Sequence, residues 1–135
     1  NKEKYKVMST VSNGVDIVEN IRINKAIKNI SFVQRVFSKK EIELSKKYRD
    51  KTNYFAKRFA AKEAFYKTLG TGLRNNYKFK DITVKNDKYG KPSIVINEKL
   101  KKMIYKQFKL KKFKLHLSLS DEKKYSIAFV ILSKI

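Results

Sequence analysis

Three sets of side chains in this sequence have types and spacings that could do chemistry. In residues 58–72, RFAAKEAFYKTLGTG, one carboxylate, Glu63, stands among apolar and basic residues, with Lys67 four positions on and Arg58 and Lys62 close by. Asp16 lies between Val15, Ile17 and Val18, a setting in which an unpartnered charge is costly. His116, Ser118 and Ser120 alternate with Leu115, Leu117 and Leu119, so a strand there has one apolar face and one of imidazole and hydroxyls, groups that donate hydrogen bonds to phosphate. Each set has an ordinary alternative. Glu63 and Lys67 can be an i,i+4 pair worth about 0.2–0.5 kcal/mol, Asp16 a strand-end turn cap, and His116 a solvent-exposed imidazole.

The elements that must carry these groups follow from periodicity. Phe55, Phe59 and Tyr66 recur at helical spacing with Ala60, Ala61, Ala64 and Leu69 between them, which predicts a long central helix, capped by Thr52 or Asn53 and stopped at Gly70. Val15 and Ile17 alternate with Asp16, which predicts a first strand over residues 12–18. Ile23, Ala26, Ile27 and Ile30 predict one amphipathic helix over residues 21–30, with Arg22, Lys25 and Lys28 outside. Ser38 and Glu41 have capping-box spacing, starting a helix that runs to about Tyr48. Residues 82–84 and 94–96 read as a hairpin around a turn at 86–90, followed by a helix marked by Leu100, Met103, Ile104 and Phe108. The last strand, residues 126–132, is apolar enough for burial on both faces.

Composition bounds the answer. A chain of 135 residues suits one domain. With no cysteine and one histidine, disulfides, thiol catalysis and multi-histidine metal sites are excluded, so any metal must take oxygen ligands, as magnesium does. The formal net charge of +22 implies a polyanionic partner without choosing one. The lysines are scattered through almost every segment, and no nucleic-acid motif accompanies them. No apolar run approaches the about 20 residues of a membrane span. The chain begins Asn1-Lys2-Glu3-Lys4, which reads as a processed or trimmed start, with residues 1–12 a basic extension and residues 13–135 the single domain.

Five blocks in order resemble the holo-(acyl carrier protein) synthases, the group I phosphopantetheinyl transferases. They are Gly14-Val-Asp-Ile-Val-Glu19 with Arg22-Ile23, then Arg58-Phe-Ala-Ala-Lys-Glu-Ala-Phe65 with Lys67, then Gly70-Thr71-Gly72, then Gly90-Lys91-Pro92, and last His116-Leu-Ser-Leu-Ser120. The resemblance runs from about Gly14 to the C-terminus. It implies an α+β fold, a small antiparallel sheet packed on a long central helix, assembled as a homotrimer with coenzyme A between neighbouring subunits. It also implies the reaction: transfer of 4'-phosphopantetheine from coenzyme A to a serine of apo acyl carrier protein, releasing adenosine 3',5'-bisphosphate, in support of fatty acid biosynthesis.

Carried over position by position, the resemblance implies that Asp16 and Glu63 hold magnesium, with manganese a possible substitute, and that Lys67 reaches the same pyrophosphate. It implies coenzyme A contacts from Arg58, Lys62, Gly70, Thr71, Gly72, Pro92, His116 and Ser118. Arg22 matches a family position facing the acidic carrier, and charge and periodicity add Lys25 and Lys28. Glu63 itself, a metal-bound water or an external group could take the serine proton. The family usually follows the His-x-Ser-x-Ser pattern with a second histidine, where this chain has Asp121, an aspartate that would repel phosphate. Two competing readings stay on the table: a basic nucleic-acid-binding module, and a relative that binds the carrier without catalysis. The bacterial cytoplasm is the expected location, with a plastid-like organelle, after removal of a targeting peptide, the alternative.

Overall fold

The computed structural model describes residues 9–70 and 78–135. Thr71 and Gly72 lie outside the described residues. The chain runs β1 (Ser9–Glu19), α1 (Asn20–Ala26), α2 (Ile30–Val36), α3 (Lys39–Ser45), α4 (Lys51–Leu69), a 3-10 turn at Phe79–Asp81, β2 (Ile82–Asn86), β3 (Pro92–Ile96), α5 (Glu98–Phe108), β4 (Phe113–Asp121) and β5 (Tyr125–Lys134). This is the expected α+β architecture. An antiparallel sheet of order β1-β5-β4 packs on α4, and β2 and β3 form a separate two-stranded ribbon.

Helix α4 is the centre of the molecule. Thirteen of its 19 residues are buried, so it is enclosed on almost every side, and it ends on Gly70 at φ 75°, a left-handed stop that costs glycine little. Its N-terminus is capped by Asp50, which accepts from the Thr52 N–H at 2.9 Å, and neither Thr52 nor Asn53 caps it as expected. Thr52 instead accepts from Asn24, and Asn53 donates to Asp121.

Strand β1 begins at Ser9, earlier than the expected Ser12, so a boundary at residue 12 falls inside a strand paired to β5. It sits hard against α4. A Cβ at Gly14 would stand 2.2 Å from the Ala64 carbonyl oxygen and 2.7 Å from the Thr68 nitrogen, a contact that only glycine permits.

Three expected elements differ. The helix expected over residues 21–30 is broken, because Asn29 adopts extended backbone and accepts from the Ser31 N–H at 2.9 Å, starting α2 afresh. Helix α3 has its capping box but ends at Ser45. Strand β5 is not buried on both faces: Ser126, Ala128, Val130 and Leu132 point into the core, whereas Ile127 and Phe129 are each 39% exposed. Register places Val15, Phe129 and Ser118 side by side, and Ile17, Ile127 and Ser120 next to them, so one face of the sheet is apolar and uncovered.

Candidate active site

Asp16 and Glu63 come together because β1 and α4 do. Gly14, Asp16 and Val18 alternate onto the inner face of the sheet, and the close approach at Gly14 draws Asp16 onto the turn of α4 that carries Glu63 and Lys67. Lys67 Nζ donates to Asp16 Oδ1 at 2.9 Å and to the Val15 carbonyl at 3.1 Å. Burial pushes the Glu63 carboxyl above its usual range, and the nearby Asp16 charge pushes it the same way; Lys67 and Arg22 pull it back. Two carboxylates that repel each other across a helix–strand contact suit a hard cation, which relieves that repulsion and draws its remaining ligands from substrate oxygens and water. Among the described residues no cluster of three or more acidic, histidine or cysteine side chains offers an all-protein metal cage.

A second group of expected residues meets elsewhere. Pro92 from β3 and His116 and Ser118 from β4 line one cleft of about 360 Å³, together with Lys91 of the same block as Pro92 and with Asp87 and Lys114, which sequence reasoning had not singled out. His116 and Ser118 stand on the outer face of the sheet, opposite Asp16 and Glu63. A single chain therefore does not bring these two parts together. Gly70 lies with the first part, one residue past the end of α4.

Lys62 corrects an expectation. It points away from any phosphate site, wholly buried, and its ammonium donates to Glu41 Oε1 at 2.6 Å, the Ile82 carbonyl at 2.6 Å and the Phe79 carbonyl at 3.0 Å. Burial pushes its pKa down and Glu41 holds it up. All three of its protons are spent on protein, which leaves none for coenzyme A. Arg58 is also buried: its guanidinium lies over Tyr54 at 3.6 Å, with one nitrogen on the Tyr54 carbonyl at 3.1 Å and one on Asn86 at 2.6 Å. Its Nε has no hydrogen-bond partner among the described residues.

Asp121, the departure from the family pattern, accepts from Asn53 at 2.7 Å and lies 3.6 Å from Lys57. Its charge is thus offset locally, which weakens the repulsion that the sequence alone suggested. Arg22 and Lys25 line an open groove with Ile21, Phe32 and Arg35; Lys28 is exposed but does not line it. Arg35 could not be placed there from sequence, because the break before α2 was not legible.

Residues 12–130 match the model of the 4'-phosphopantetheinyl transferase superfamily. The chain belongs to that superfamily. A holo-[acyl-carrier-protein] synthase of Pelagibacter ubique is 59% identical over 127 residues, 94% of this chain and 99% of that one. The structure of a Neisseria meningitidis holo-[acyl-carrier-protein] synthase superposes with a TM-score of 0.83 at 35% identity, covering 93% of this chain and all of that one. The Bacillus anthracis synthase in complex with coenzyme A (3',5'-ADP) superposes at 0.78 and 33%, covering 96% of this chain and 100% of that one. This transferase brings Asp16, Glu63 and Lys67 together in one contact between β1 and α4. Neither competing reading, nucleic-acid module or inactive relative, draws support from these likenesses. No helix among the described residues is long and apolar enough to cross a membrane.

Proposed function

We propose that this transferase is a holo-[acyl-carrier-protein] synthase that moves 4'-phosphopantetheine from coenzyme A to a serine of apo acyl carrier protein, releasing adenosine 3',5'-bisphosphate. The observation that carries the reading is the meeting of Asp16, Glu63 and Lys67 where β1 crosses α4. Asp16 and Glu63 would hold magnesium there, and the chemistry it would supply is neutralisation of the charge that develops on the phosphate of the departing adenosine 3',5'-bisphosphate. Lys67 is half exposed and tethered to Asp16, so it can turn toward a phosphate oxygen without crossing an apolar region. Burial and the Asp16 charge hold the Glu63 carboxyl above its usual range, and a bound cation would oppose that shift by favouring the ionised form. Gly70 leaves the end of α4 free of side chain.

The working form would be a homotrimer. Pro92, His116 and Ser118 lie across the sheet from the carboxylates, so a neighbouring copy must supply one part of each coenzyme A site. Val15, Ile17, Ile127 and Phe129 give the apolar surface on which copies would meet. The groove of Arg22 and Lys25 would receive the acidic carrier, steered by charge. The chain from β1 onward would act as one transferase domain, in the bacterial cytoplasm where coenzyme A and carrier are found together.

Intact-mass measurement of apo carrier incubated with the protein, coenzyme A and magnesium tests the reaction. A gain of one phosphopantetheine that vanishes with Glu63→Gln and with a chelator is the expected result; no gain, while a reference synthase modifies the same carrier, would refute it.

A further inference from the structure

Lys62 and Glu41 are both fully buried and opposite in charge, 2.6 Å apart, and neither belongs to the machinery described above. Their remaining bonds have a pattern. Glu41 Oε2 accepts the Val84 N–H at 2.9 Å, and Lys62 Nζ donates to the Ile82 carbonyl at 2.6 Å. Residues two apart on a strand turn their backbone groups to the same edge, so both contacts fall on the edge of β2 that β3 does not use. In place of a neighbouring strand, the ribbon is paired by one carboxylate and one ammonium. A two-stranded ribbon is marginal by itself, so what holds its free edge sets where it stands.

The other bonds of the pair reach the rest of the fold. Glu41 Oε1 also accepts the Ser38 N–H at 2.9 Å, closing the cap of α3, and Lys62 also donates to Phe79 just before β2. A second tie runs beside it: Arg58 on α4 bonds Asn86, whose amide donates to the Gly90 carbonyl at 3.0 Å across the ribbon's turn. Two adjacent residues of α4 therefore have divided duties, Glu63 toward Asp16 and Lys62 toward the ribbon that carries Pro92. Buried ion pairs seldom add stability over apolar residues of similar size, so stability alone does not account for this one.

We propose that Lys62 and Glu41 are positioning residues that fix the β2–β3 ribbon on α4, and thereby place the Pro92–His116 cleft for coenzyme A, without touching coenzyme A. This rests on the coenzyme A reading above. Either single substitution would strand a buried charge, so the test uses the double variant Lys62→Met with Glu41→Gln, which removes both charges at similar volume. Two readouts are taken on the intact protein: steady-state transfer with coenzyme A or carrier varied, and amide hydrogen exchange.

The expected result is a rise of about tenfold in the coenzyme A KM, with the carrier KM unchanged, and faster exchange in β2 and β3 while β1 and β5 keep their protection. An unchanged coenzyme A KM would overturn the proposal, and so would loss of protection spread evenly over all strands, the mark of a merely structural pair. Failure of the transferase reading shows separately, as a wild-type chain that neither binds coenzyme A nor modifies the carrier.

Discussion

Replacing Gly14 by alanine tests the link between packing and chemistry most directly. Gly14 is not among the residues with positive φ, so the substitution meets no backbone strain and acts through space alone. The new methyl would stand 2.2 Å from the Ala64 oxygen, where ordinary contact begins near 3.4 Å, and its next neighbours, at 2.7 Å, are the Thr68 nitrogen and hydroxyl. Two of these three are backbone atoms of a helix buried on nearly every side, and they cannot swing away. Strand and helix must part by roughly 1 Å, at a cost of about 3 kcal/mol, the upper end of ordinary overpacking. The Ser12 hydroxyl bond to the Thr68 carbonyl goes with it, about 1 kcal/mol of that total.

Asp16, two residues along, is carried away from Glu63 and Lys67. A displacement of that size in a reacting site lowers kcat/KM about 100-fold. Urea unfolding followed by circular dichroism measures the first effect, and carrier modification followed by intact mass, at a temperature where the variant is folded, measures the second. Gly90→Ala is the control: φ is +84° there with open space around it, so it should cost about 1 kcal/mol in strain alone. A Gly14→Ala protein of nearly wild-type stability and full transfer activity would refute the argument that this contact seats Asp16.

Other outcomes follow from the same geometry. Reversing Arg22 and Lys25 to glutamate should raise the carrier KM at low salt and leave the coenzyme A KM alone, with the difference fading as salt is added; an unchanged carrier KM at low salt would contradict the docking groove. If the proposed trimer forms through the exposed apolar face, Phe129→Asp should yield monomers in sedimentation and abolish transfer. Burial raises the Tyr54 hydroxyl from 10.0 to about 12. Its contribution to stability is therefore complete below the unfolded pKa and lost as pH rises through the folded one, between about pH 10 and 12. Tyr54→Phe lacks that loss, so its stability deficit in urea unfolding should shrink by about 1 kcal/mol between pH 8 and pH 11.

Much of this was legible in the sequence, for physical reasons. Asp16 alternates with apolar residues, and alternation fixes a strand face; Gly70 follows Leu69 where only a left-handed residue ends a helix cleanly. The leucines of β4 separate inward from outward residues, which put His116 and Ser118 on one side as expected. What failed was direction around α4. Lys62, Glu63 and Lys67 are read against a polar side, but a helix enclosed almost all round has none, so nothing local says that Lys62 turns inward while Lys67 stays half exposed. Glu41 was legible as a cap residue, yet its partners Val84 and Lys62 arrive from 43 and 21 residues away. The cap of α4 had three chemically able candidates within four residues, and Asp50 won on backbone geometry. Strand β5 misled because apolar character reports a demand for cover, and one chain covers only one side of it.

The separation of the β2–β3 ribbon from the main sheet bears on how such a protein can change over generations. A residue gained or lost in a strand of the β1-β5-β4 sheet slips every pair beyond it and throws core side chains outward. The same event at the ribbon's turn, between Asn86 and Pro92, shifts no pair in that sheet, because the two share no ladder. Register therefore does not constrain length at that tip as it does in the strand that bears Asp16. What constrains the tip is its own local contacts, the Arg58–Asn86–Gly90 bonds and the cleft that Asp87, Lys91 and Pro92 line.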